Sequence, residues 1–300
     1  MATGYVPGGS PSAAPPPAPS GGGIEFGYQG SPPAAQLAIL PKLTLQGVSR
    51  SSGDLKEKWL IVTLADSDFK PGKDGLLCDT NSCRQWYTES IRVEMSFPDD
   101  KGKDAEQRIA LVSDGPQTTS QSGSKSVSNS VDFQAGFFGE TITGSVSSSF
   151  STSVSVSLED FEVRDLSDKK EHICVHEYRL ALADGTDYKD PTSLLPQGFG
   201  EQMAALFASG GAALRTLPPR ATSSFPIISQ ALFRARESYK KDPATGAPTT
   251  EIQRIPDAAN LQIHVICTVA GILVDNQGSA SNKVKFENSV KVPIPFAHII

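Results

Sequence analysis

Residues 127–158 read VSNSVDFQAGFFGETITGSVSSSFSTSVSVSL, and the alternation within this stretch decides which fold the chain can adopt. Successive side chains of a β-strand point to opposite faces, so a period of two identifies a strand with one apolar and one polar face. The apolar residues stand at odd positions in the first half of the stretch and at even positions in the second half. The stretch therefore predicts one long amphipathic β-hairpin.

The change of parity between the two arms supports this interpretation. Residues that lie opposite each other in an antiparallel pair share a face of the sheet. A tight turn at Gly139 and Glu140 pairs Phe137 with Ile142, and a four-residue loop changes the partners but still sets odd positions opposite even ones. Either register leaves one face apolar and the other polar along the whole hairpin.

The two faces have different compositions, one of aliphatic and aromatic residues and one dominated by serine. The apolar face is predicted to contain Val127, Val131, Phe133, Ala135, Phe137, Phe138, Ile142, Val146, Phe150, Val154 and Val156. The polar face is predicted to contain Ser128, Ser130, Asp132, Gln134, Ser145, Ser147, Ser149 and Ser151.

The length of each arm favours insertion into a membrane. A transmembrane β-strand needs about 9–11 residues, and membrane barrels alternate lipid-facing apolar residues with polar residues that face the lumen. The flank TTSQSGSKS at 118–126 suits a segment that detaches and moves. Two other interpretations stay open: half of an ordinary β-sandwich with its apolar face in the core, and a serine-rich fibrous segment.

The totals of the chain exclude some classes of protein. It has 300 residues and a formal net charge of −6, which argues against nucleic acid as a partner. No apolar run approaches the about 20 residues of a transmembrane helix, so entry into a bilayer requires a closed barrel built from several chains. The start of the chain lacks the charged and apolar regions of a signal peptide, so the export route stays open for a protein expected to be secreted.

The remainder of the chain predicts an all-β protein. Alternating or apolar runs predict strands within 36–49, 57–69, 86–98, 107–116, 161–182, 229–239, 263–276 and 283–296, and a short helix is a candidate at 201–214. The predicted organisation is a disordered Pro/Gly/Ala-rich tail at 1–35, cap strands at 36–117, the hairpin at 118–158, and further cap strands at 159–300.

The sequence predicts neither an enzyme nor a metal site nor a cofactor. No Rossmann glycine pattern, P-loop, GxSxG or HExxH motif is present. His172, Cys174 and His176 alternate along one predicted strand, and His264 stands near Cys267, but alternate residues on a strand are expected to diverge too far for tetrahedral zinc. Cys78 and Cys83 lie on either side of the turn-like DTNS and could close a small loop. Cys174 and Cys267 are expected either to be buried or to be joined to each other by a disulfide.

The order of these parts resembles the leukocidin/α-hemolysin family of β-barrel pore-forming toxins. KEKWLIVTLADSDF and WYTESIRVEMSFPDD are similar to cap strands before the stem, the hairpin stands in the place of the stem, and SLEDFEV at 157–163 is similar to the stem exit. SSFPIISQALFRA at 223–235 resembles the segment that follows the rim. The resemblance implies a β-sandwich cap, a central stem hairpin and a rim, in a protein that assembles on a target-cell lipid bilayer as a ring homo-oligomer, a heptamer or octamer.

The rim is expected at about 183–225, and it departs from the family because no tryptophan follows Trp86. Recognition of lipid head groups by tryptophan therefore cannot be carried over. Lipid contact is instead assigned to Phe199, Met203, Leu206 and Phe207, which also suit a small amphipathic helix packed on the sandwich. Pore formation is the first functional hypothesis, and a β-sandwich interaction or carbohydrate-binding module that does not enter membranes is the alternative.

Overall fold

A computed structural model describes most of the predicted cap. The described residues are 35–49, 55–64, 66–71, 77–78, 82–98, 108–116, 161–182, 188–195, 214–215, 217–242, 244–275 and 278–298. The predicted hairpin, with every residue assigned to its two faces and its turn, lies outside this set, and so do the four predicted rim residues.

Strands account for most of the described residues, which confirms the all-β prediction. They are β1 Gln36–Ala38, β2 Lys42–Ser49, β3 Lys56–Thr63, β4 Ser67–Lys70, β5 Leu77–Cys78, β6 Ser82–Ser96, β7 Ile109–Gly115, β8 Phe161–Asp165, β9 Cys174–Leu180, β10 Phe225–Ile227, β11 Gln230–Arg236, β12 Ser238–Lys241, β13 Pro248–Gln253, β14 Ala259–Asp275 and β15 Gly278–Ile294. The short helices are η1 Pro191–Leu194, α1 Pro219–Thr222 and η2 Phe296–His298.

The described strands form four antiparallel sheets. The largest has the order β15-β14-β6-β9-β8, with β5 also paired to β6. The second has the order β2-β3-β11-β7, and a small third sheet has the order β1-β4-β10. The hairpin of β12 and β13 forms a sheet of its own.

The two larger sheets face each other across one hydrophobic core. The ring of Phe97, which follows β6, meets the ring of Phe233 in β11 edge to face, with centroids 5.1 Å apart. The ring of Tyr178 in β9 packs in the same way on Phe225 at 5.3 Å, and its hydroxyl donates a hydrogen bond to the carbonyl of Ile228. Aromatic pairs of this geometry contribute beyond the area that they bury. The described strands therefore form a β-sandwich.

Three predicted strands are each divided between different sheets, and one of them, 229–239, is shared by β11 and β12. The stretch 57–69 was predicted as one strand, but β3 ends at Thr63 and the chain turns before β4. The initial strand is likewise split, with β1 and β2 on either side of Pro41, which has no backbone N–H to donate to a ladder. Residues 59–64 are buried without interruption, so no change of pattern in the sequence marks the end of β3.

The cysteine and histidine predictions need two corrections. Cys174 lies opposite Met95 on one side of β6, and Cys267 lies opposite Ile91 on the other side, so a strand separates the two thiols and they are not joined. His264 is only half-buried and near Glu287, whereas Cys267 is fully buried, because even and odd positions of β14 face opposite sides of the sheet. The backbone register does set Cys78 opposite Cys83.

Gly271 in β14 is required by a close approach between neighbouring strands. It lies opposite Trp86 of β6, and a Cβ atom added to Gly271 would stand 2.7 Å from the indole ring. Because Trp86 is itself buried, its ring has little room to move away. Glycine at this position lets the indole cover the backbone of the strand.

We predict that Gly271→Ala lowers the free energy of unfolding by about 1–3 kcal/mol, the usual cost of overpacking a core. Urea denaturation measures the change. In a Trp86→Ala background the same substitution should cost much less, because the ring that it meets is gone. Equal costs in the two backgrounds would contradict the contact.

Candidate functional site: the root of the predicted stem

The predicted stem is attached to two different sheets. The chain leaves the four-stranded sheet at the end of β7 and is next described at the start of β8, in the largest sheet. In the described part of the chain, β7 pairs with β11 alone and β8 pairs with β9 alone, so both are edge strands. The segment 117–160 therefore connects the edge of one sheet to the edge of the other.

Both ends of that segment face the same end of the sandwich. β7 ends with Gly115 opposite Gln230, at the beginning of β11. Just before β11, the carbonyl of Ile228 accepts a hydrogen bond from Tyr178 of β9. Further back along the chain, the ring of Phe225 packs 4.6 Å from the ring of Phe161 at the start of β8. The chain of residues 225–230 thus spans the root of the stem from its exit to its return.

The predicted rim has its neck at this end as well. The backbone N–H of Arg215 donates a 2.8 Å hydrogen bond to the carbonyl of Leu194, so the two ends of the segment 196–213 meet. Leu194, Leu214 and Leu217 are buried in the main core and fix both sides of the neck. The four predicted rim residues belong to this closed segment, and their contacts lie beyond what the structure describes.

A chain of polar groups, of which Tyr87 is buried, ties the neck of the rim to the largest sheet. The hydroxyls of Tyr87 and Tyr188 are 2.8 Å apart, and Tyr188 donates a 2.9 Å hydrogen bond to Oε1 of Glu89. Lys283 of β15 donates to the same carboxylate oxygen. Burial raises the pKa of both tyrosines well above the usual value, so both remain protonated donors.

The strand register shows how the root of the stem and the neck of the rim are placed along the largest sheet. In β9, Arg179 lies opposite Ser90 of β6, and its neighbour Leu180 lies opposite Phe161. Tyr87, which holds Tyr188, is three residues beyond Ser90 in the same direction along β6. The root of the stem and the neck of the rim therefore lie at the same end of the sandwich.

A buried polar cluster joins the two sheets just above the stem root. Asp114 lies near the end of β7. Its Oδ2 atom is 3.3 Å from Nε2 of His176 in β9. Both side chains are at most 1% exposed. Ser167 donates a hydrogen bond to the same carboxylate and accepts one of 2.9 Å from the backbone N–H of Val175.

The environment of Asp114 favours its charged form. Desolvation by burial opposes ionisation, but the hydrogen bonds from His176 and Ser167 and the charge of His176 outweigh it, so the pKa of Asp114 lies below its usual value. Sequence reasoning noticed His176 but missed Asp114, because the two residues are far apart along the chain and meet only when the sheets pack.

The solved structures similar to this chain include a clostridial toxin. Clostridium perfringens delta-toxin shares 12% sequence identity over 87% of this chain and 88% of its own, with a TM-score of 0.51. The chain has a pore-forming toxin fold. The resemblance to the leukocidin/α-hemolysin family is thereby confirmed at the level of the fold.

Two further similar structures have lower scores. One is described as a pore forming protein, with 11% identity, coverage of 88% of this chain and 97% of its own, and a TM-score of 0.48. The other is the Clostridium perfringens NetB toxin in the membrane inserted form, with 9% identity, coverage of 87% and 97%, and a TM-score of 0.44. No protein-family profile and no curated protein matches the sequence. None of the helices in the described ranges has the length and hydropathy needed to span a bilayer.

We predict that Asp114→Ala lowers the free energy of unfolding by about 3–5 kcal/mol, because it leaves His176 buried without its charged partner. Chemical denaturation followed by tryptophan fluorescence measures the loss. The matched control is Glu162→Ala, which breaks the exposed pair between Glu162 and Arg164 on β8 and should cost about 1 kcal/mol or less. Equal losses in the two variants would contradict a special contribution of the buried pair.

Proposed function

We propose that this chain is a pore-forming protein that assembles as a ring homo-oligomer on a target-cell lipid bilayer. Each copy contributes the hairpin 118–158 as two strands of one transmembrane β-barrel. The observation that supports the proposal is that the described residues flanking 117–160 and 196–213 lie at the same end of the sandwich. This arrangement lets the rim rest on a membrane while the hairpin of the same copy enters it.

The physical argument for a barrel comes from the backbone. In lipid every backbone N–H and C=O needs a partner, and a single hairpin leaves its two outer edges unpaired. A ring of hairpins closes these edges, and its apolar face then meets the lipid while its serine-rich face lines a water-filled lumen. The proposed domain division follows: the tail at 1–35, the cap at 36–117 and 159–300, the stem at 118–158, and the rim at about 183–225.

The attachment of the stem to two edge strands is compatible with its movement. β7 and β8 belong to different sheets and do not pair with each other, so the segment between them is not a simple turn within one sheet. A water-soluble form can therefore keep the sandwich intact while the hairpin changes its surroundings. In this proposal the protein is secreted first and inserts into the target membrane afterwards.

We expect Phe133→Arg to abolish release of a fluorescent dye from liposomes of phosphatidylcholine, phosphatidylserine and cholesterol. Arginine at the midplane of the lipid face costs about 2–4 kcal/mol per strand, and every copy in the ring repeats this cost. The matched control is Gln134→Arg, which places the same side chain on the adjacent, lumen-facing position and should leave dye release intact.

The two variants separate the pore from the alternative of an interaction module. Dye release by the wild type with loss in Phe133→Arg alone supports the assignment of faces, and rings seen by electron microscopy on the same liposomes support the assembly. Dye release that is unchanged in Phe133→Arg, or a wild type that releases no dye from these or from target-cell membranes, refutes the proposal.

Asp132 gives the proposed pore a preference for cations. It is the carboxylate on the lumen face of the arms, and a ring of copies places these carboxylates around one level of the lumen. The preference should be modest, because salt screens charges beyond about 10 Å at 0.1 M. Reversal potentials across a KCl gradient in planar bilayers should shift toward zero in Asp132→Asn and change sign in Asp132→Lys, while Ser130→Asn keeps the wild-type value. Selectivity that ignores position 132 would contradict the lumen-facing assignment.

A further inference from the structure

The polar cluster above the stem root contains three donor atoms of the types that bind transition metals. The carboxylate of Asp114, the thiol of Cys174 and the imidazole of His176 each offer one ligand atom, and these atoms lie within 4.8 Å of one another. All three side chains are buried, and they come from two different sheets. Nothing in the proposed pore mechanism uses Cys174.

The alternation of Cys174 and His176 along β9 does not separate them as the sequence led us to expect. The Sγ atom of Cys174 lies 3.8 Å from Nδ1 and 4.0 Å from Nε2 of His176. His172, in contrast, belongs to the turn before β9 and has a positive φ of 55°, so it does not continue the face of the strand. The third donor is supplied by the opposite sheet.

The separations approach those of a tetrahedral zinc site. Zinc bonds of about 2.3 Å to sulfur and about 2.0–2.2 Å to nitrogen and oxygen set ligand atoms about 3.3–3.6 Å apart. The distance from Nε2 of His176 to Oδ2 of Asp114 is 3.3 Å, and the distance from the same nitrogen to Sγ of Cys174 is 4.0 Å. The thiol, which lies within 4.8 Å of the carboxylate and nearly equidistant from the two ring nitrogens, must turn toward Nε2 and the carboxylate by about 1 Å or more to complete the set.

The charges of the three groups also suit a divalent ion in a buried place. A thiolate, a carboxylate and a neutral imidazole carry two negative charges, so an ion with two positive charges makes the cluster neutral and removes the penalty for burying charge. Ser167 holds the carboxylate from outside the set, as supporting groups do around protein-bound metals.

Binding is coupled to release of a proton. Burial raises the pKa of the Cys174 thiol well above its usual value, so the thiol is protonated before the metal enters. The metal–sulfur bond forms as the sulfur–hydrogen bond breaks, and the proton passes to the solvent. Affinity should therefore rise with pH through the neutral range.

The geometry points to a zinc-binding site formed by Asp114, Cys174 and His176, which fastens β7 to β9 beside the point where the predicted stem leaves the cap. The proposal stands independently of pore formation, because it concerns the folded cap alone. A metal here cross-links the two sheets at their stem-side edges, where β7 and β8 each have one paired neighbour among the described strands.

Cobalt(II) tests the site directly. The full-length chain is stripped of metal with a chelator, unfolded, and refolded with Co²⁺, so that entry into a buried place is not limiting. We expect one Co²⁺ per chain and a near-ultraviolet charge-transfer band from thiolate to cobalt, displaced by Zn²⁺. Titration in weakly buffered solution should record the released proton, and Zn²⁺ should raise the midpoint of thermal unfolding.

The matched pair of variants is Cys174→Ser and Cys267→Ser. Both replace a fully buried cysteine in the largest sheet, but only the first removes a proposed ligand. The charge-transfer band should disappear in Cys174→Ser and persist in Cys267→Ser. His176→Gln, which keeps the thiol, should weaken binding by about tenfold or more.

Two results would overturn the proposal. The first is a refolded wild type without a thiolate–cobalt band, which would leave the cluster as a hydrogen-bonded network only. The second is a band that survives in Cys174→Ser, or in His176→Gln at unchanged affinity, which would place the metal at other cysteines. Near-ultraviolet circular dichroism establishes that each variant is folded, and His176→Gln decides alone if Cys174→Ser does not refold.

Discussion

The long antiparallel ladder of β14 is the constraint on which the rest of the sandwich depends. β14 pairs with β15 from Ala259 to Asp275 and with β6 over almost the same length, with one register shift against β6 between Thr268 and Val269. Odd positions of β14 face the core from Leu261 to Val269, and beyond the shift Gly271 lies under the ring of Trp86. The remaining strands add to this unit at one side or cover its inner face.

The edges of the two larger sheets explain where the functional segments can leave. β7 and β8 are edge strands of different sheets within the described part of the chain, and the segment 117–160 connects them. Arg215 and Leu194 close the neck of the rim segment by one backbone hydrogen bond at the same end of the sandwich. The points where both segments attach to the cap thus lie at one end of it.

The polar groups at that end connect elements that have no backbone pairing with each other. The pair of Asp114 and His176 joins β7 to β9 across the sandwich, and Tyr188 joins the rim neck to β6 through Tyr87 and Glu89. Buried groups of this kind are costly unless all their partners are in place. These polar contacts therefore favour one arrangement of the sheet edges near the stem and the rim, because another arrangement that buries as much apolar surface would leave the polar groups unpaired.

The sequence by itself determined the all-β class and most strand positions, because strand patterns are local and survive in any sheet, and the hairpin at 127–158 stays a prediction. It did not determine which sheet a strand joins: the break between β3 and β4 was invisible, since residues 59–64 are buried throughout and show no change of pattern. Nor did it determine the cluster at the stem root. Asp114 meets Cys174 and His176 only when two sheets pack face to face, and no spacing along the chain records a contact between sheets.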